Sequence, residues 1–487
     1  MQEILVGGQN GVNVFMDAAM GNRHGMISGA TGTGKTITLQ ILAEGFSKIG
    51  VPVFLADVKG DLSGITLAGQ SNEKIAQRLK DIGIGNYQQH GNAAVFWDIF
   101  AKTGHPVRAT ISEMGPLLLS NLLELNDTQT GVLYSCFKIA DDNGLLLLDL
   151  KDLRALLTWV GAQDKDFQTE YGNIAAASIG AIQRQLLVLE EQGAEHFFGE
   201  PAIQLEDFCK TDFSGNGVIS LLDATDLVSK SPRLYATFLL WLLSELFEKM
   251  PEVGDADRPK LVLFFDEAHL LFEQAPKPLV DKIEQIVRLI RSKGVGVYFI
   301  SQSPLDVPED ILGQLGLKIQ HALRAYTPKD QQVIKSVAGT FRANPNIDTE
   351  TVIQELKTGE ALVSVLNKDG SPTPVERILI RPPESQIGPI TPAQREEMLK
   401  RSPFHGRYEQ EIDRESAYEM LKQRAEQQQQ EQLEEQAVKQ EKKAASGGSR
   451  QRQTMTEALL KNAARSIGTT VGRQIVRGIM GSLLGRR

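Results

Sequence analysis

Eight residues near the start of the chain, Gly29-Ala30-Thr31-Gly32-Thr33-Gly34-Lys35-Thr36, follow the run Met26-Ile27-Ser28 and lead into Ile37-Thr38-Leu39-Gln40. Their types and spacing suit a polyphosphate. Glycines let backbone N–H groups curl around phosphate oxygens where side chains would obstruct the approach. A helix beginning near Lys35 points its positive dipole end at the same anion. Lys35 reaches the β- and γ-phosphates, and the Thr36 hydroxyl is a ligand for Mg²⁺. The eight residues match the Walker A pattern between a strand and a helix, the context that the motif needs.

A second cluster adds the chemistry of hydrolysis. Leu261-Val262-Leu263-Phe264-Phe265 is an apolar run ending in Asp266-Glu267-Ala268-His269. The run is too short for a helix and rich in β-formers, so it reads as a buried parallel strand. An acidic pair at its carboxyl end has the form of a Walker B. Asp266 would hold Mg²⁺, usually through water, and Glu267 would polarise an attacking water. Glu267 thereby favours water over an acceptor hydroxyl, which speaks against a kinase.

These groups need a frame. Pro52-Val53-Phe54-Leu55-Ala56 reads as a second buried strand, ending in Asp57-Val58-Lys59-Gly60-Asp61. Gly217-Val218-Ile219-Ser220-Leu221-Leu222 returns to strand, followed by a long helix over about 232–250. A helix over 279–292 precedes the strand Val295-Gly296-Val297-Tyr298-Phe299-Ile300-Ser301, with Gln302 at its end. Alternation of this kind predicts an α/β fold with a mostly parallel sheet covered on both faces. Ligands of such sheets sit at the carboxyl ends of strands, so Gly29–Thr36, Asp57, Asp266, Glu267 and Gln302 should converge there. Residues 107–210 change character to helical spacing and read as a mostly helical insertion. Residues 360–381 read as a closing hairpin, and Pro382-Pro383 as a domain edge.

Composition sets the class. The chain has 487 residues, is 41% apolar and carries a net charge of −9. Cys136 and Cys209 stand far apart, outside any C-x-x-C spacing, so neither disulfide scaffolding nor zinc is expected. The seven histidines are scattered without metal spacing. The start of the chain lacks the features of a leader, and no run reaches a membrane span of about 18 apolar residues, so a cytoplasmic protein is expected. Residues 409–443 are rich in Glu, Gln and Lys and read as a long solvated helix or as disorder. After the linker Ser446-Gly447-Gly448-Ser449, residues 450–487 hold eight Lys or Arg against the single acid Glu457. Apolar positions 467, 471, 475, 479 and 483 recur every four residues, a pattern suited to nucleic acid, anionic membrane or the protein's own ring.

The sequence resembles the HerA/FtsK superfamily of ring-forming ATPases, most closely its YjgR-type branch of bacterial HerA-like proteins. The matching stretches run from Asn22-Arg23-His24-Gly25 to Thr36, through Asp57-Val58-Lys59-Gly60-Asp61 and Leu263-Phe264-Phe265-Asp266-Glu267-Ala268-His269. They end with Ile290-Arg291-Ser292-Lys293-Gly294 and the strand to Gln302. The resemblance implies a RecA-like P-loop NTPase fold, with ATP and Mg²⁺ as cofactors. The order of elements along the chain divides it into a first core part with the Walker A (1–106), the helical insertion (107–210) and a second core part (211–383). A charged extension (384–446) and a basic, glycine-containing tail (447–487) follow.

The resemblance further implies that Gln302 senses the γ-phosphate, that Asp57 lies near Mg²⁺ and water, and that Arg291 is supplied to a neighbouring subunit's nucleotide. The alternative readings are an acidic N-cap for Asp57 and a surface arginine at a helix C-terminus for Arg291. Arg324 and Arg23 are further candidates for the finger. The implied partner set is a homo-hexamer acting on DNA, as a translocase or helicase; a motor acting on protein is the alternative. HerA carries a β-barrel before its ATPase, and the 28 residues preceding Gly29 do not fit one. The helical insertion is then the expected docking point for a protein partner.

Overall fold

The computed structural model describes residues 2–9, 11–162, 170–254, 256–273 and 277–446. Its strands are β1 (Glu3–Gln9), β2 (Val12–Asp17), β3 (Gly25–Ser28), β4 (Val53–Asp57), β5 (Ala94–Asp98) and β6 (His105–Pro106). They continue with β7 (Ile219–Asp223), β8 (Leu261–Phe265), β9 (Val295–Ser301), β10 (Leu317–Gln320), β11 (Glu360–Ser364) and β12 (Glu376–Ile380). All twelve join one sheet in the order β2-β1-β12-β11-β10-β3-β9-β8-β4-β7-β5-β6. Every pairing from β10 through β6 is parallel. The pairings from β10 out to β2 are antiparallel. The fold is therefore α/β with a mostly parallel sheet, and the expected hairpin is β11 with β12, where Ala361 faces Ile378.

Alternation along the central strands explains the two covered faces. Phe54, Leu263, Phe265, Val297 and Phe299 face one apolar cluster, which takes in the helix Pro232–Lys249 through Phe238 and Trp241. Val53, Leu55, Val262, Phe264, Tyr298 and Ile300 face the other, which takes in the helix Lys35–Lys48 through Leu39, Leu42 and Phe46. Burial on both sides is why these strands read as unbroken apolar runs. The helices Ile111–Leu122, Asp127–Asp142, Leu150–Ala162 and Ala176–Glu191 occupy the expected insertion. They share the first cluster through Leu119, Leu133, Leu153 and Ile182, so they extend the sheet's own core.

The chain divides into two compact units, Met1–Leu421 and Lys422–Arg487. Residues 384–421, expected as part of a charged extension beyond a domain edge, belong to the first. Their anchors are polar and aromatic. Glu44, buried on the helix Lys35–Lys48, accepts from the N–H groups of Glu384 and Ser385 at 3.0 and 2.9 Å. Arg395 pairs with Asp223 at 2.8 Å, while Phe404 and Tyr408 pack on Trp97 with ring centroids 5.3 and 5.7 Å away. The helix Ala417–Ser446 has its side chains exposed over 425–440, so the Gln/Glu-rich run is a solvated helix. The basic tail 447–487 lies outside the described residues. Among the described residues no helix is long and apolar enough to cross a membrane.

Candidate functional site

Strand β3 ends at Ser28, and six residues separate it from the helix Lys35–Lys48. Between them Gly29, Gly32 and Gly34 have φ of +147°, +77° and +119°, which L side chains rarely adopt. At Gly29 space adds to conformation, since a Cβ there would lie 2.5 Å from the Cβ of His321. Gly34 caps the helix without a side chain, so the first-turn N–H groups face the loop. Neighbouring segments fix the loop: Gly29 N–H donates to Gln302 O at 3.2 Å, Ala30 N–H to Ala322 O at 2.9 Å and Gly359 N–H to Thr33 O at 2.9 Å. Lys35 is buried, with Nζ 2.6 Å from Gly29 O and 3.2 Å from Ala30 O. Burial lowers its pKa, and the nearby Lys59 charge adds to this.

Gly29→Ala should therefore cost about 1–3 kcal/mol and abolish nucleotide binding. At Gly32 a Cβ meets nothing within 4 Å, so Gly32→Ala should keep more of the stability. Thermal denaturation of both variants, with binding of a fluorescent ATP analogue, checks this.

Two buried histidines flank β3, His321 beside the loop and His24 at the strand's amino end. His321 Nδ1 lies 3.0 Å from Glu360 O and Nε2 lies 2.8 Å from Thr38 Oγ1. A carbonyl only accepts, so Nδ1 carries the proton and Nε2 accepts the Thr38 hydroxyl. By the same argument His24 donates from Nε2 to Val287 O at 2.8 Å and accepts Val297 N–H at Nδ1, 3.0 Å away. Burial pushes both imidazoles down to about 4. Their contribution to stability is full above 6.5 and is lost as pH falls from there toward 4. In histidine NMR spectra, two of the seven rings should stay neutral down to pH 5.

Asp266 and Glu267 leave the end of β8, two strands from β3, with β9 and Gln302 between them. Gln302 is exposed and lines an open cleft with His269, Glu273 and Asp306. Asp266 is 7% exposed and accepts Glu267 N–H at 3.0 Å. Burial pushes its carboxyl up to about 6, with Lys59 pulling down and Glu267 pushing up. Glu267 has φ +49°, a left-handed conformation rare for a non-glycine residue. Its Oε1 pairs with Lys59 Nζ at 2.8 Å, and Asp266 Oδ2 lies 3.9 Å from the same ammonium. Glu267 Oε2 is buried without a hydrogen-bond partner; His269 Nδ1 is 3.4 Å away.

The carboxylate of Asp57, 1% exposed, accepts Gly60 N–H at 2.7 Å and Leu62 N–H at 3.0 Å, which shapes the loop that carries Lys59. Burial pushes it up to about 7, against the pull of those N–H groups.

The Walker A loop, Asp266, Glu267 and Gln302 thus converge at the carboxyl edge of the sheet. Arg291 does not join them. It lies at the amino end of β9, in the turn Arg291–Lys293, while the site lies past the carboxyl end seven residues on, about 20 Å away along the strand. Arg324 donates to Leu356 O at 2.9 Å and to Gln354 O, so it caps the helix Thr349–Glu355. Lys59 is the site residue that sequence reasoning left without a role. Its signal was a lysine just past a strand whose end was expected to meet the acidic pair.

The residues fit a nucleoside triphosphate with Mg²⁺. Among the described residues no group of three or more His, Cys, Asp or Glu is placed to cage a metal. Mg²⁺ takes one or two protein oxygens and completes its shell with phosphate and water, which Thr36 and Asp266 permit. The positive-φ glycines and the open first turn supply the phosphate cradle.

Comparison with known proteins agrees. The family model described as "Helicase HerA-like C-terminal" matches residues 2–487. The DNA double-strand break repair helicase HerA of Sulfolobus acidocaldarius is 21% identical over 370 residues, 74% of this chain and 66% of that protein. A probable helicase of Methanocaldococcus jannaschii, MJECL08, is 30% identical over 127 residues, 25% of this chain and 22% of that protein. The chain thus spans less than two thirds of either relative. Among solved structures, the bacterial conjugative coupling protein TrwBdeltaN70 in complex with sulphate has a TM-score of 0.51 at 15% identity, covering 80% of this chain and 92% of that one. That likeness concerns the fold. The chain belongs to the HerA-like helicase C-terminal family.

Proposed function

We propose that this protein hydrolyses ATP with Mg²⁺ as a cytoplasmic ring motor, a homo-hexamer that translocates on or unwinds DNA. The observation that carries the reading is the convergence of Gly29–Thr36, Asp266, Glu267 and Gln302 on one sheet edge, in a chain of this family. Lys35 meets the charge of the β- and γ-phosphates, and the first-turn N–H groups hold their oxygens. Thr36 and Asp266 would hold Mg²⁺, which when bound neutralises charge on the phosphate oxygens. Glu267 Oε2, buried and without a hydrogen bond, accepts a proton from the attacking water. Gln302, whose carbonyl accepts Gly29 N–H of the loop, reports the state of the terminal phosphate.

Arg291 supports the ring. Held about 20 Å from its own chain's site, it serves a nucleotide only across a subunit boundary. Displacement of a triplex-forming strand from duplex DNA in the presence of ATP tests the motor reading. Displacement that needs ATP and is lost in Lys35→Ala supports it. ATP turnover without any DNA response or displacement would favour a motor acting on protein, docked through the helices of 107–210.

A further inference from the structure

The Asp266–Glu267 pair sets two carboxylates side by side in a largely buried corner, with Asp61 close enough to affect the charge of Asp266. An ammonium in contact with a carboxylate of such a corner fixes its orientation. Two lysines face it. Lys35 is committed to the phosphate loop, with Nζ on Gly29 O and Ala30 O. Lys59 is committed to the acids, and contacts Glu267 by one oxygen alone.

We propose that Lys59 is a positioning residue for hydrolysis: it holds Glu267 by Oε1, so that Oε2 is kept free and aimed to take the water's proton. This rests on the ATPase reading above. In the step it serves, the water oxygen bonds to the terminal phosphorus while the bond from that phosphorus to the ADP oxygen breaks. The water's proton goes to Glu267 Oε2, and the Lys59 ammonium keeps its own protons throughout.

Three observations favour positioning over a chance surface pair. First, the loop that bears Lys59 is built for it: Asp57, almost fully buried, uses both oxygens on the N–H groups of Gly60 and Leu62, and Gly60 has φ +74°. Second, Glu267 stands at φ +49°, so its side chain leaves the strand at a fixed and unusual angle that meets this lysine. Third, the remaining oxygen is buried without a hydrogen bond, the arrangement that a proton acceptor needs and a structural ion pair does not. His269, on the Oε2 side at 3.4 Å, and Tyr235, which donates to Asp266 O at 3.0 Å, complete the surroundings of the pair.

The test uses the full chain with Lys59→Met, Lys59→Arg, Glu267→Gln and the double variant Lys59→Met/Glu267→Gln. Steady-state ATP turnover, affinity for a non-hydrolysable ATP analogue and thermal stability are measured for each. Lys59→Met should lower kcat about 10–100-fold while KM for ATP and analogue affinity stay within about threefold. Lys59→Arg, which retains a cation of similar reach, should recover most of the rate. In the Glu267→Gln background, Lys59→Met should change the residual rate by less than about threefold, because the lysine acts through that glutamate.

Normal turnover in Lys59→Met, in a chain whose unsubstituted form is active, would overturn this inference alone. A fall in analogue affinity that parallels kcat would overturn it too, by making Lys59 a direct phosphate ligand. So would a full, independent loss in the Glu267→Gln background. Absence of turnover in the unsubstituted chain would overturn the ATPase reading and this inference with it.

Discussion

Glu267→Gln should bind ATP as the unsubstituted chain does and turn it over about 10²–10⁴-fold more slowly, the usual contribution of a positioned base. Lys35→Ala should instead lose productive binding. The difference lies in what each side chain meets. Lys35 is buried against the loop's own carbonyls and faces phosphate charge in the ground state and transition state alike. Glu267 sits beyond the end of β8 with one oxygen on Lys59 and the other without a hydrogen bond, where it acts on water. Analogue binding and single-turnover hydrolysis separate the two. Near-normal turnover by Glu267→Gln would show that another group accepts the proton.

The second large effect belongs to Arg291. If it completes a neighbour's site, Arg291→Ala should keep nucleotide affinity and lose about 10³-fold or more in kcat, the scale of a transition-state arginine. Lys35→Ala subunits should be inactive alone, yet mixing the two inactive proteins should restore turnover. A boundary that pairs the intact Lys35 of one subunit with the intact Arg291 of the next is functional, and about a quarter of random boundaries in an equal mixture meet that condition. The geometry makes the test sharp, because no single chain brings Arg291 to its own phosphate loop. His24 and Asn22 anchor the arginine's turn from the strand that leads into the Walker A loop, through Val287 O at 2.8 Å and Arg291 O at 3.4 Å. Mixtures that stay inactive while assembling normally would remove the shared site.

Much of this frame was legible in the sequence, for a physical reason. Strands β3, β4, β7, β8 and β9 lie in the parallel part of the sheet with helices over both faces, so their residues form apolar runs bounded by polar chemistry. The motif residues that follow β3, β8 and β9 accordingly lie at one edge of the sheet. Strand β1 went unread because Gly7 and Gly8 weaken the alternation, and each packs closely on a neighbouring backbone that a Cβ would strike. Strand β10 has only four residues, too few to show a period.

Residues 384–421 read as surface because they are charged and proline-bearing. Their order comes from partners hundreds of positions away, such as Glu44 for Ser385, Asp223 for Arg395 and Asp152 for Ser416. No local pattern encodes such pairings. Lys59 was hidden in the same way: the motif gave its neighbours, and only the approach of β4 to β8 brought it within 2.8 Å of Glu267.

The most direct measurement of the central claim is steady-state ATP turnover by the full chain with Mg²⁺, in parallel reactions holding no DNA, single-stranded DNA and duplex DNA, with Glu267→Gln as the control. The account predicts turnover that depends on Glu267 and rises several-fold with DNA, most strongly at low salt, where phosphate contacts are least screened. Turnover that Glu267→Gln leaves untouched, or that no form of DNA alters at any salt concentration, would contradict it.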